Sequence, residues 1–377
     1  MLYKDVCIVG GGPAGLAAAN ILAARGLTVV VVGYDPDRAT NSSPGETLSP
    51  AVLESMHKLG LENEFQELRL PEISGFKSTW GSPAMEWRDK SLSPRGSGWL
   101  LDRRAFERML GAQAEKLGVV LRREHAANIT QHHHASRVWL KSSGSSICAR
   151  LLIYATGRHG IQEKPRNRIL VDRLVACVTL VQTSASAWDR AVRIDALEKG
   201  WIYSIQISAT ERALALFTDG DLLRATTRKA PLESVAAAVA EAPTVSQVVS
   251  PGELRTMQGS AMYWAVSQFR LTAWGERWIG CGDAAQSYDP LASMGVALAI
   301  EDGIEAAEAL VACLCKDNSD ALLRRDLNRR ERFISYLKDR YSYYGLEHRW
   351  RSAPFWKRRQ SEHALRGISA RQPPSGS

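Results

Sequence analysis

The chain has 377 residues, 45% hydrophobic and 23% charged, which suits one or two packed domains of an ordinary globular protein. No run of about 18 uninterrupted apolar residues appears, so no membrane span is expected, and an apolar strand starts without a basic region before it, which argues for the cytoplasm. The net charge of +8 is local: between Leu322 and Arg359 stand 12 Lys/Arg and 4 Asp/Glu, while the other 339 residues carry 36 of each sign, which argues against a nucleic-acid-binding face.

Val6–Val9 is an apolar run that ends in Gly10-Gly11-Gly12-Pro13-Ala14-Gly15. Ala14–Ala24 is helix-forming, Gly26 closes it, and Thr28–Val32 is β-branched. A G-x-G-x-x-G string between a strand and a helix predicts a dinucleotide-binding turn. Its glycines let the backbone approach a pyrophosphate, and the helix start supplies unpaired N–H groups. The second strand of such a unit normally ends in an acid that holds the ribose. Gly33 stands there instead, and Asp35 is the nearest carboxylate able to reach. Pro44-Gly45-Glu46-Thr47-Leu48-Ser49-Pro50 reads as a loop into a helix capped by Ser49, with Leu53, Met56 and Leu59 inward. Arg103 opens a helix holding Phe106, Met109 and Leu110. Strands are expected near Val119–Leu121, Val138–Leu140 and Leu151–Ala155, the last ending at Thr156-Gly157.

From about Leu170 to Phe269 the pattern alternates, in Ala176–Gln182, Trp201–Ile207 and Ala213–Phe217, with one helix near Ser234–Ala240. A strand and turn return at Trp278–Ala284, and helices follow from Gly295 to about Leu314 and on to about Tyr344. The expected architecture is α/β: a Rossmann-type domain (1–75, 100–165, 272–316), an inserted β-sheet-rich substrate domain (76–99, 166–271), a C-terminal helical basic region (317–359) and a flexible tail (360–377). The basic region has two readings. One is an amphipathic helix with Phe333, Leu337 and Tyr341 inward and its arginines solvated; the other is a docking surface for a protein. The six cysteines form no C-x-x-C pair and read as buried free thiols, and His132-His133-His134 reads as a polar turn, so no metal site is expected.

Gly10–Gly15, Asp102-Arg103, Ala155-Thr156-Gly157, Gly282-Asp283-Ala284-Ala285 and Asp289-Pro290-Leu291 stand in an order that resembles flavoprotein monooxygenases of the para-hydroxybenzoate hydroxylase type. The resemblance implies FAD, held by Gly10, Gly12, Pro13, Ala14, Gly15, Asp35, Thr47, Arg103, Thr156, Gly157 and Asp283, with Pro290, Met294 and Gly295 against the flavin ring. Gly45-Glu46-Thr47, Leu59-Gly60-Leu61 and Gly200-Trp201-Ile202-Tyr203 are similar to the tryptophan-halogenase-like branch. Within it, Trp80-Gly81-Ser82, Gly98–Arg103 and the short length look like the flavoproteins that modify a tryptophan side chain in precursors of cysteine tryptophylquinone enzymes.

That resemblance implies hydroxylation of an electron-rich ring by way of a flavin C4a-hydroperoxide. Glu46 is the candidate base, Lys77 stands about where the halogenases keep a catalytic lysine, and Trp80, Trp201 and Tyr203 are candidates to contact substrate. The implied partners are a precursor polypeptide and, because Thr156-Gly157-Arg158 replaces the Asp-Gly fingerprint associated with NAD(P)H use, a separate flavin reductase. The alternatives are a halogenase or small-molecule hydroxylase, and a non-catalytic FAD-containing maturation partner.

Overall fold

The computed structural model describes residues 2–37, 45–89, 96–131, 135–159, 167–184, 188–223, 230–316 and 320–361; the histidine run 132–134 and the chain beyond 361 lie outside these. Strand Leu2–Val9 lies between Val29–Val32 and Ser146–Tyr154, all parallel, and the sheet extends to Val120–Arg122 on one side and Trp278–Gly280 on the other. Val29-Val30-Val31-Val32 is buried throughout because both faces of this sheet are covered. Val29 and Val31 pack under helices Pro13–Ala24 and Gly295–Lys316. Val30 and Val32 pack towards Val138 and Leu140 of the hairpin Ala126–Gln131/Ser136–Leu140.

A second sheet has seven strands, in the order Gln258–Trp264, Leu174–Gln182, Glu211–Asp219, Gly200–Gln206, Ala191–Leu197, Gly75–Ser78, Glu86–Asp89. It is antiparallel apart from the pairing of Gly75–Ser78 with Ala191–Leu197. Period-two alternation gives it two buried faces. One carries Cys177, Ile202 and Leu214 against helix Ala230–Glu241. The other carries Trp201, Ile205, Ala213, Ala215 and Phe217 against the C-terminal residues Tyr344, Phe355 and Trp356. The mixed α/β architecture, with a helix-covered parallel sheet, a second sheet and C-terminal helices, agrees with the sequence reading.

The expected elements are present but several start four or five residues earlier, at Leu2 for the first strand, Ser146 for the strand through Leu151 and Ala230 for the helix near Ser234, and a different departure occurs at the helix after Glu46. It runs Val52–Leu59, and Ser49 lies too early to cap it: its Oγ accepts only the Ala51 N–H. Val52, not Leu53, then faces the core, and Leu53 is exposed.

The solvated-arginine reading of the C-terminal region is overturned. In helix Asp320–Gly345, Arg325, Arg329, Arg330 and Arg340 are buried, as is Arg359 beyond it. Acids from elsewhere in the fold meet most of them: Asp302 meets Arg325, Asp172 and Asp289 meet Arg340, and Asp219 meets Arg359. Arg332, half-buried, pairs with Glu301 and Glu305. Tyr344 faces inward and is fully buried, whereas Tyr341 is half-buried. The local positive charge is thus largely an internal counter-charge, because a buried guanidinium persists only where carboxylates and carbonyls satisfy it. Among the described residues no helix is long and apolar enough to cross a membrane.

Candidate functional site

The glycine turn fixes the site. Gly10 has φ +116°, and a Cβ there would lie 2.1 Å from the Ala155 carbonyl oxygen. One on Gly11 would meet the Tyr34 Cα at 2.4 Å, and one on Gly15 the Gly10 oxygen at 2.0 Å. These three glycines are required by the fold itself. Gly12 differs: no heavy atom lies within 4 Å of where its Cβ would stand, and its φ of −81° suits any residue. Pro13 occupies the first turn of the helix. Ala14 is packed tightly, since a Cβ on Gly303 would meet its carbonyl oxygen at 2.2 Å. The open side of Gly12, at a helix start with unpaired N–H groups, is a cradle that fits a pyrophosphate.

At the end of the second strand, Gly33 has φ +83° and the His125 ring crowds the position of its Cβ at 3.2 Å. That accounts for the missing acid: both backbone and neighbour disfavour a side chain there. Asp35 has a buried Oδ1 with no hydrogen-bond partner, 3.9 Å from an Arg123 nitrogen. A buried unsatisfied carboxylate oxygen beside the turn is the donor-seeking group a ribose hydroxyl would meet.

Gly157, with φ +63°, and Gly295 both open onto space free of protein atoms within 4 Å. Thr156 lies just before Gly157, between strand Ser146–Tyr154 and the short 3-10 turn Gly157–His159. Asp283 lies in the 3-10 turn Gly282–Ala284, and a narrow cleft there is lined by Gly282, Asp283, Gln286, Tyr288, Gly295 and Asp302. Gln286 Oε1 and Tyr288 Oη are buried in it without hydrogen-bond partners. Met294, one of the more exposed apolar residues, stands before helix Gly295–Lys316. Open backbone at Gly12, Gly157 and Gly295, together with the unpartnered oxygens of Asp35, Gln286 and Tyr288, fits an extended dinucleotide.

Arg158 was not singled out as a site residue from the sequence. Its Nε donates to Asp283 Oδ2 at 3.0 Å, and Nη1 donates to the Trp264 and Val266 carbonyls at 3.0 and 3.1 Å. It therefore holds Asp283 and joins the two sheets. Its position directly after Thr156-Gly157 was the available signal.

Arg103 begins helix Arg103–Lys116, whose N-cap Asp102 accepts the Ala105 N–H at 3.0 Å. Its Nη1 donates to Glu46 Oε2 at 3.0 Å and its Nε to Glu107 Oε1 at 2.6 Å. Two carboxylates thus engage the guanidinium that the resemblance assigned to phosphates. Burial, with the charge of Glu46, raises the Glu107 carboxyl above its ordinary range, against the pull of Arg103. Thr47 is buried in the two-residue strand Thr47–Leu48, paired with Trp99–Leu100. The Glu46 turn packs on the second sheet: the Tyr203 hydroxyl donates to the Gly45 carbonyl at 2.7 Å, and a Cβ on Gly45 would lie 2.7 Å from that of Ala213.

Strand register decides which other candidates reach this place. Tyr203, Ala215, Val178 and Ala261 form one row across the sheet, and Trp201, Phe217, Ala176 and Tyr263 form the next row on the same face. Tyr203, Val178, Leu180 and Tyr263 are half-buried and pack in the cluster that includes Leu291, beside Pro290. They make an apolar, aromatic wall next to the Glu46 turn. The alternation in Ala176–Gln182 hinted at Val178 and Leu180, but sequence could not say which face they share.

Two substrate candidates do not belong to the wall. Trp201 is 1% exposed, stacked on Phe217 at 3.9 Å, and its Nε1 donates to Tyr344 Oη at 3.1 Å. Trp80 is 7% exposed, donates to the Tyr343 carbonyl and packs against Trp201, Tyr344 and Trp356. Both are satisfied core aromatics, and the structure places them away from the half-buried wall. Lys77 is also displaced. It pairs in register with Arg193 and Trp87 on the sheet face opposite Tyr203, and its Nζ lies 5.6 Å from the Trp87 ring centre.

A family model described as an FAD binding domain matches residues 3–340. The chain belongs to that family. It is similar to LodB of Marinomonas mediterranea, 28% identical across 97% of this chain and 99% of that protein, whose assignment as an FAD-dependent oxidoreductase is itself provisional. The flavin-dependent halogenase armH3 of Armillaria mellea is 24% identical over 83% of this chain and 68% of its own length. Two solved structures share the fold. The peptidyl tryptophan dihydroxylase QhpG has a TM-score of 0.80 at 21% identity, covering 95% of this chain and 79% of its own. The myxobacterial chondrochloren halogenase CndH has a TM-score of 0.81 at 20% identity, covering 98% and 91%. The chain is therefore an FAD-dependent oxidoreductase. When bound, FAD supplies the redox and oxygen chemistry.

Proposed function

We propose that this flavoprotein hydroxylates the ring of a tryptophan side chain carried in a precursor polypeptide, during biogenesis of a quinone cofactor. The observation that carries the reading is the wall of Tyr203, Val178, Leu180 and Tyr263 beside the Glu46 turn and Leu291. Flat aromatic and aliphatic surface of this kind stacks an indole and excludes water from it. Glu46, held by Arg103, is the group to accept the indole N–H and take up positive charge as oxygen adds to the ring. The similarity to LodB and the shared fold with QhpG, named for peptidyl tryptophan, support a polypeptide substrate. In this reading the protein works in the cytoplasm, with a separate reductase supplying electrons to FAD.

Halogenation is the second reading, favoured by the fold shared with CndH. The placement of Lys77 on the far sheet face weighs against it, because a lysine handling hypohalous acid must face the ring it serves. Chemically reduced, FAD-loaded protein given free tryptophan, bromide and air separates the two. Bromotryptophan formed at enzymic rates refutes the proposal; no product on the free amino acid, with oxygen added to tryptophan in a precursor polypeptide, supports it.

A further inference from the structure

Helix Asp320–Gly345 presents Tyr336, Arg340 and Tyr344 four residues apart, hence on one face. All three converge on Asp289, the residue before Pro290. The Asp289 N–H donates to Tyr336 Oη at 2.8 Å. Arg340 Nε and Tyr344 Oη donate to Asp289 Oδ2 at 3.1 and 2.9 Å. The other carboxylate oxygen, Oδ1, accepts the Leu291 N–H at 3.0 Å and so caps the 3-10 turn Pro290–Ala292.

The same three side chains also reach outward from Asp289. Tyr336 bonds Ser267 at 2.6 Å. Arg340 Nη2 donates to Asp172 Oδ2 at 2.8 Å, just before strand Leu174–Gln182, which carries Val178 and Leu180. Tyr344 Oη accepts from Trp201 Nε1 at 3.1 Å, two residues from Tyr203. Asp289, Arg340, Tyr344, Trp201 and Ser267 are buried, so each bond lost among them leaves a polar group unsatisfied.

We propose that Tyr336, Arg340 and Tyr344 are positioning residues that set the Asp289–Gly295 segment against the flavin and hold it in register with the substrate wall. The helix's chemistry serves geometry: one stripe fixes a loop on the FAD side and a strand on the substrate side at once. This rests on FAD binding with the Asp289–Gly295 segment beside the flavin ring, as the resemblance implies, and not on the identity of the substrate, so it stands or falls separately from the tryptophan reading.

The test uses Tyr344→Phe and Tyr336→Phe in the full chain, with Lys338→Ala, at an exposed position, as control. In apoprotein, amide exchange at 290–296 is expected to quicken in both tyrosine variants while the glycine-turn helix 13–24 keeps its protection. With FAD bound, affinity is expected to stay within about three-fold of wild type, since the pyrophosphate cradle is untouched. The flavin absorbance bands are expected to shift, and air reoxidation of dithionite-reduced FAD to change about ten-fold, because ångström misplacement near a reacting group costs that order or more. Unchanged exchange, spectrum and reoxidation in folded, FAD-loaded variants overturn the proposal. So does faster exchange spread evenly over the whole chain, which assigns the stripe to stability alone.

Discussion

Gly12→Ala separates the cofactor role of the glycine turn from its folding role. A methyl at position 12 meets no protein atom within 4 Å, and the backbone there has φ −81°, so apoprotein tolerates alanine without strain. Loss of glycine's freedom in the unfolded chain should even raise apoprotein stability, by about 0.4–1 kcal/mol. The same methyl enters the space assigned to the pyrophosphate and pushes it from the backbone N–H groups. Loss of one charge-assisted hydrogen bond costs about 1.5–3 kcal/mol, which is roughly 10- to 100-fold in affinity. Gly15→Ala is the contrast: its methyl would lie 2.0 Å from a backbone oxygen, and overpacking of that kind costs about 1–3 kcal/mol in the apoprotein itself. Thermal melting of apoprotein and FAD titration by fluorescence quenching read the two effects. Wild-type FAD affinity in a folded Gly12→Ala protein would refute the placement of the pyrophosphate.

Glu46→Gln should retain FAD yet lose about 10²-fold in substrate turnover, the lower end of what a positioned base contributes; turnover within a few-fold of wild type removes Glu46 from the chemistry. Lys77→Ala should leave turnover within roughly two-fold, as expected of a side chain on the far sheet face, and a large loss contradicts the register argument. Trp201→Ala should destabilise the fold by about 3–5 kcal/mol in denaturant titration, because it removes a fully buried ring that is stacked and hydrogen-bonded. Glu347 gives a pH prediction. Burial opposes its ionisation, but hydrogen bonds from Arg349 and the Gly81 N–H outweigh this and hold the carboxyl below its ordinary range. A depressed folded-state value means its stabilisation is complete above the unfolded value of about 4.3 and is lost as pH falls below it. The melting-temperature gap between wild type and Glu347→Gln should therefore be widest near neutrality and close on acidification; a gap that widens in acid contradicts the assignment.

How much of this was legible in the sequence depended on whether a residue's role is local. The glycine turn, its flanking strand and helix, and the helix that opens at Arg103 follow from backbone chemistry within a few residues, and each appears where expected. Residues whose roles depend on distant partners could not be placed from sequence. Trp80 and Trp201 looked available because nothing nearby in sequence covers them; Tyr344 and Trp356, more than 140 residues on, do so. The arginines of helix Asp320–Gly345 looked solvated because their acids, Asp172, Asp289 and Asp302, lie on other elements. Lys77 stands at about the spacing of the halogenase lysine, but spacing could not say that it lies on the sheet face opposite Tyr203, a distinction that a pleated strand makes with a single residue.

The most direct test of the whole account is the mass of a tryptophan-containing precursor polypeptide after incubation with FAD-loaded protein, a reductant and isotopically labelled dioxygen. The account predicts gain of one or two labelled oxygen atoms, mapped by fragmentation to a tryptophan ring and absent when FAD is omitted. A precursor recovered without labelled oxygen while free tryptophan or another small aromatic is oxidised or halogenated in the same mixture would contradict it.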